Sequence, residues 1–245
     1  MSDNLPSLAT AFQQFFELVP ATDQALRDEV YRIRFEVYCR DMRFESEDAF
    51  PDGREIDEFD EQSRHCLLLH RPSGTFAGCV RLVLNRPGDP NSKLPFERHC
   101  NHSIDRQRFD PDQVPRDKFG EISRLAVLSR FRRRADEATT PHGIGVKANY
   151  FSPTERRVFP HVALGLYIAA AAISLREGLD MAIVMMEPRL ARHMRYFGIN
   201  FQQAGDVVDY HGLRGPFYIT RESLQRDLDP QVGQLLQGII HGLSR

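Results

Sequence analysis

The spacing of apolar residues changes period along the chain, and each change marks an element. Leu26, Val30, Ile33 and Val37 recur at helical spacing, which predicts an amphipathic helix over 24–40. Arg27, Tyr31, Arg34 and Tyr38 share a neighbouring face of that helix. The acidic stretch 43–62 carries the turn signal Pro51-Asp52-Gly53 and reads as a long ordered loop. Two apolar runs, His65–Arg71 and Thr75–Asn85, flank Pro72-Ser73-Gly74 and predict a hairpin. Residues 86–118, rich in Pro, Asp and Asn, form an excursion whose structure the pattern does not determine, whereas Gly120–Leu128 predicts a strand.

Downstream of Arg130 and the run Arg132-Arg133-Arg134, the chain stays polar to about residue 158. An Ala-rich helix is expected from Pro160 to Glu177, with proline in its first turn and Gly178 just past its last. Asp180–Glu187 contains the apolar run Met181–Met186 and predicts a buried strand. Pro188–Phe197 predicts a helix stopped by Gly198, followed by strands near 200–210 and 215–220 and a helical piece from about 230. No repeat or linker interrupts this order, so one α/β domain spanning 1–245 is expected.

Composition narrows the function classes. A net charge of −2 does not advertise nucleic acid as a partner. No apolar run reaches the roughly 18 residues of a membrane span. Met1-Ser2-Asp3-Asn4 lacks the basic and apolar regions of a secretory signal, which predicts a cytoplasmic protein. Cys39, Cys66, Cys79 and Cys100 have no CxxC spacing and read as reduced thiols. His99-Cys100-Asn101-His102 has no matching second pair, so no metal is expected there.

The candidate chemistry is a set of charges among apolar neighbours: Arg34, Glu55, Asp57, Asp60, Arg81, Glu121 and Arg124. Such charges need a partner or a task, because unpaired burial is expensive. Strand alternation puts Glu121, Ser123 and Leu125 on one face, with Arg124 opposite beside Ile122 and Ala126.

The order of a central strand ending in Leu125-Ala126-Val127, a helix, a second buried strand and Tyr196-Phe197-Gly198-Ile199 resembles the GNAT acyltransferases. That resemblance implies two neighbouring parallel strands that splay apart to admit a thioester's pantetheine arm. The charged set, with Tyr38, resembles the acyl-homoserine-lactone (autoinducer) synthases. Phe44 stands where those synthases favour tryptophan, and the chain has no tryptophan, which weighs against S-adenosylmethionine as substrate.

Further motifs resemble the PEP-CTERM/exosortase system-associated acyltransferases over roughly residues 10–220. They are Tyr31-Arg32-x-Arg34-x-x-Val37-Tyr38-Cys39, His65-x-Leu67-Leu68, Gly78-x-Val80-Arg81-Leu82, Glu121–Val127 and Phe131–Arg134. The resemblance implies N-acyl transfer to an amine, with no permanently bound cofactor and with acyl-CoA or an acyl carrier protein thioester as co-substrate.

Acyl transfer to an amine needs a base and oxyanion donors. Glu121, ionised beside the cleft, is the expected base; Ser123 and Arg124 complete the catalytic candidates, with bracing of the acidic loop from behind as the other reading of Arg124. Arg34, Tyr38, Phe44, Glu55, Asp57, Asp60 and Arg81 are candidates for the acceptor side. Asp57 and Asp60 either hold a cationic acceptor or grip an arginine, and the whole set reads equally as a salt-bridge lattice fixing the 43–62 loop. Leu125, Ala126 and Val127 would supply backbone N–H groups to the thioester. Arg130, Arg132, Arg133 and Arg134 would meet coenzyme A phosphates or an acidic carrier protein, against the reading of a solvated run. Gly143 and Gly145 form no convincing phosphate loop. Met181, Met185 and Met186 line an acyl pocket or simply belong to the core. An acyl-homoserine-lactone synthase and a silent carrier-binding protein are the alternatives to a broader N-acyltransferase.

Overall fold

The structure is a computed structural model, and it describes residues 8–132 and 162–242. The segment begins with helix α1 (Leu8–Phe15) and strand β1 (Phe16–Pro20), neither of which the apolar spacing predicted. Helix α2 (Gln24–Arg34) is capped by Asp23, whose carboxylate accepts the Leu26 N–H at 2.9 Å. It passes directly into a π-helical turn, Phe35–Asp41. The predicted hairpin is present as β2 (Ser63–His70) and β3 (Thr75–Val83), and the predicted strand as β4 (Phe119–Val127).

Between β3 and β4 the chain is ordered, with a short helix α3 (Pro95–His99), where composition left the structure undetermined. Beyond the undescribed stretch come α4 (Val162–Arg176), β5 (Met181–Met186) and α5 (Pro188–Met194). Then follow β6 (Gln202–Gln203), β7 (Val208–Asp209), β8 (Leu213–Thr220), α6 (Arg221–Asp227) and α7 (Pro230–Gly242). Of the elements expected in the second half, β5 and α5 are present but shorter, the strand expected near 200–210 is reduced to the short β6 and β7, β8 starts earlier than expected, and α6 was not foreseen.

The eight strands form one mixed sheet in the order β1-β2-β3-β4-β5-β8-β6, with β7 attached to β8. Every pair is antiparallel except β4 with β5. One face packs against α1, α4 and α7 through a core that includes Leu68, Leu82, Ile122, Leu166 and Leu235. On the other face, Val30 and Ile33 of α2 and Val37 of the π-helical turn meet Leu67, Cys79 and Ala126. The 86–118 excursion covers the rest of that face with Leu94, Phe96 and Phe109 against Phe119 and Ile183. Buried apolar side chains explain its order despite a loop-like composition. All four cysteines are free and buried. No helix among the described residues is long and apolar enough to cross a membrane.

Candidate active site

Two features of β4 create the site. The first is where its pairing stops. β4 pairs with β5 only through Phe119↔Met181, Gly120↔Ala182 and Glu121↔Ile183, while its pairing with β3 continues to Gly78↔Val127. Beyond Glu121 the two parallel strands therefore diverge, as the family resemblance implied. The second is a bulge: Arg81 pairs with Ser123 and Cys79 with Ala126, so Val80 alone faces two residues, Arg124 and Leu125. Arg124 takes φ +48°, a left-handed conformation that costs a non-glycine residue about 1–3 kcal/mol.

The bulge overturns the alternation expected from sequence. Leu125 turns to the α4 face with Ile122 and Val127. Arg124 joins Ser123 and Arg81 on the acidic-loop side, where its guanidinium reaches Glu55 at 3.2 Å and Asp57 at 3.4 Å.

That side carries a lattice of three arginines and three carboxylates. The buried Arg34 guanidinium donates from Nε to Glu55 and from Nη1 to Asp60 Oδ1 at 2.6 Å. Arg81 Nη1 reaches Asp57 at 2.6 Å and Asp60 at 2.8 Å, and its Nε donates to Ser123 Oγ at 3.0 Å. Burial opposes ionisation of Glu55, but Arg34 and Arg124 outweigh it and hold the carboxyl at about 2. Asp57 and Asp60 are likewise lowered, against burial, chiefly by Arg81 and Arg34 respectively. The two aspartates grip arginines, so of the two readings open at the sequence level, the lattice describes Arg34, Asp60 and Arg81. Its partly open edge is Arg124, Asp57 and Glu45.

Glu121 sits at the vertex of the fork, 3% exposed. Its Oε2 accepts the Phe96 N–H at 2.7 Å, and the cavity between the strands is lined by Glu121, Ser123, Tyr38, Tyr167, Tyr210 and Arg214, among others. Burial raises its pKa to about 8, against the lowering influence of the Phe96 N–H, Arg81 and Arg124. The sequence reading took this carboxylate as ionised; the dry site instead keeps it mostly in the acid form at pH 7. Tyr38 also reaches the fork, where its hydroxyl donates to the Leu125 carbonyl at 3.0 Å. Phe44 packs near Tyr38 and His211 at 6.3 and 5.3 Å.

The arginine run does not act as a unit. Arg132 is buried, donating to the Val127 carbonyl at 2.6 Å and pairing with Asp41 at 2.8 Å, so it braces the end of β4 instead of facing a phosphate. Arg130 is exposed and donates to the Phe76 carbonyl at 3.2 Å. Arg133, Arg134, Gly143, Gly145 and Pro160 lie outside the described residues. Ala126 and Val127 pair towards β3, and their β5-facing edge is not paired to β5. Met185 faces the fork, Met181 lines a separate apolar pocket on the α4 side and Met186 belongs to the core. Tyr167, Tyr210 and Arg214 were missed in the sequence; the one available signal was an arginine opening the apolar run of β8.

Comparisons with known proteins agree with this architecture. Residues 33–140 match the family described as acetyltransferase (GNAT) domain. The structure of BjaI, a CoA-dependent acyl-homoserine lactone synthase with SAM and isopentyl-CoA, is similar at TM-score 0.58 and 18% identity, over 93% of this chain and 89% of that one. The AHL synthase LasI is similar at 0.55 and 15%, over 87% and 96%. FeeM, an N-acyl amino acid synthase from uncultured soil microbes, is similar at 0.52 and 14%, over 87% and 94%. No curated protein matches the chain at a significant level. The chain thus has the GNAT acyltransferase fold and carries, at residues 33–140, a match to that acyl-transferring enzyme domain.

Proposed function

We propose that the protein is an N-acyltransferase that moves a fatty-acyl or similar group from a thioester to an amine. The observation that carries this reading is the fork between β4 and β5 with Glu121 at its vertex. A pantetheine arm laid along the unpaired edge of β4 would satisfy backbone groups that β5 leaves open. A small apolar pocket on the α4 side, about 30 Å³ in volume, shares Ile122 and Tyr167 with the fork and gives the direction in which an acyl chain would have to open space.

In the reaction the amine nitrogen attacks the thioester carbon, and the carbonyl oxygen becomes an oxyanion. Collapse of that intermediate breaks the C–S bond, leaving an amide and a free thiol. Glu121, once ionised, takes the proton that nitrogen must lose, and the departing thiolate is protonated by Glu121, which restores the carboxylate for the next turnover, or by water. An incoming ammonium would favour that ionised form, since an opposite charge in a dry site lowers a carboxyl pKa. Backbone N–H groups of the β4 bulge are the proposed oxyanion donors, with Arg124 and Ser123 holding the bulge against the lattice.

Coenzyme A and an acyl carrier protein remain the two candidate donors, and the link to a PEP-CTERM/exosortase system rests on the sequence motifs. Similarity in fold to acyl-homoserine-lactone synthases keeps S-adenosylmethionine in the acceptor panel. The test is thiol release by purified protein from acyl-CoA and acyl-carrier thioesters of varied length, with a panel of amines. Amine-dependent thiol release supports the proposal. Release only with S-adenosylmethionine narrows it to the lactone synthase reaction. Binding of loaded carrier without turnover under every condition overturns it in favour of a silent partner.

A further inference from the structure

Arg214 lines the same cavity as Glu121 and is 8% exposed. Its Nε and Nη2 atoms are buried with no hydrogen-bond partner, and it enters no ion pair among the described residues. The other buried arginines on this side behave differently: Arg34, Arg81 and Arg132 each hold a carboxylate, as does the largely buried Arg124. Its guanidinium lies over the Phe44 ring at 5.7 Å. Stacking on an aromatic face leaves the in-plane N–H groups of a guanidinium available to a ligand. A buried cation without a counter-charge is costly, and a site that retains one is prepared for an anion.

Position identifies which anion. Arg214 precedes Gly215, the register partner of Met186 at the open end of β5, whereas Glu121 is opposite Ile183 at the closed vertex. Three strand residues separate the two places, roughly 10 Å along β5. The cavity is therefore polarised, with an anion receptor towards its mouth and a proton acceptor at its base. Planar bidentate geometry in so enclosed a place suits a carboxylate. We propose that Arg214 binds the carboxylate of the acceptor, which is accordingly an amino acid whose amino nitrogen is turned towards Glu121. The proposal rests on the acyl-transfer reading above and adds the class of acceptor to it.

The experiment compares tyrosine with tyramine, phenylalanine with phenethylamine, and leucine with isopentylamine, with acyl-CoA of several lengths as donor. Thiol release gives kcat and KM for each, and calorimetry without thioester gives binding of each amino acid and its amine. The wild type is expected to favour at least one amino acid over its amine by about tenfold or more in kcat/KM. Arg214→Met is expected to bring that ratio close to one, mainly through KM, and Arg214→Lys to restore part of it. The Met variant should melt no lower than the wild type, because it removes an unpaired buried charge.

Equal use of amino acids and their amines by the wild type would overturn the proposal. So would an Arg214→Met variant that loses kcat alike for both with KM unchanged, which would assign the guanidinium to the oxyanion. If no acceptor releases thiol from either acyl-CoA or an acyl carrier thioester, the acyl-transfer reading fails on its own. Carboxylate-dependent binding that disappears in Arg214→Met would still support the receptor, and absence of any amino acid binding would end it.

Discussion

Glu121 shows how one side chain's surroundings set its chemistry. Its carboxyl is dry, accepts the Phe96 N–H and lies near Arg81 and Arg124, and burial wins, raising the pKa to about 8. As a base it gains strength with every step of that rise but is ionised in fewer molecules at pH 7. In the thiol-release assay, kcat/KM should therefore climb with pH and inflect near 8, and Glu121→Gln should lower it about 10²–10⁴-fold and abolish the inflection. A Gln variant with unchanged rate would remove Glu121 from the mechanism. Asp60 makes the opposite case, because Arg34 and Arg81 both converge on it. Asp60→Ala removes the carboxylate that two buried cations share, leaving Arg34 with Glu55 and Arg81 with Asp57, so a loss of about 3 kcal/mol in urea unfolding is expected. A loss under about 1 kcal/mol would mean that water enters the lattice.

At the scale of elements, the β4 bulge decides which side chains reach the fork. It turns Arg124 towards Glu55 and Asp57, and it moves Leu125 to the opposite face. Just beyond it β3 and β4 approach so closely that a Cβ on Gly78 would lie 2.4 Å from the Ala126 carbonyl oxygen. Gly78→Ala should then destabilise by about 1–3 kcal/mol and also slow acyl transfer, since the bulge must shift to relieve the clash. Chemical denaturation and thiol release measured on the same preparation check both parts. Helix α2 leads into a comparable irregularity, the π-helical turn that begins after Arg34, and Tyr38 from that turn donates to the Leu125 carbonyl. A pure 3.6-residue reading could pair Arg34 with Tyr38 but could not foresee that contact.

The pH dependence of the whole molecule's stability follows from three environments. Glu55, Asp57 and Asp60 have lowered pKa values, so the stability they lend is present above about pH 4.5 and fades as pH falls towards 2. His65 is depressed to about 4 by burial and by Arg34, so its contribution is lost as pH falls from 6.5 to 4. Glu121 is raised, so its contribution is complete below about 4.5 and is lost as pH rises through about 8. Between 4.5 and 6.5 the slopes of His65 and Glu121 oppose each other, which leaves pH 6.5–8 as the window where Glu121 acts without that opposition. There the wild type should lose up to about 1.4 kcal/mol per pH unit, the slope falling to about half as pH reaches 8, and Glu121→Gln should lose much less. Parallel slopes for the two proteins in urea titrations would contradict the buried acid.

Much of this molecule was legible in its residues because the information is local. The hairpin at 63–83, β5, and the helix stopped by Gly198 each follow from side-chain period and turn chemistry within a dozen positions. The charged set was also legible, since Arg34, Glu55, Asp57, Asp60, Arg81, Glu121 and Arg124 stand out against apolar neighbours. Period alone could not show α1 and β1, nor the order of 86–118, whose stability comes from apolar contacts with distant strands. Nor could it separate gripped aspartates from substrate-facing ones. Amino-acid order determined which elements form and which charges need partners, because propensity and burial cost act on each residue where it stands. Tertiary structure decided how those charges are matched: a bulge and a diverging strand pair, both products of contacts between remote segments, paired Asp60 inward, kept Glu121 protonated and left Arg214 without a counter-charge.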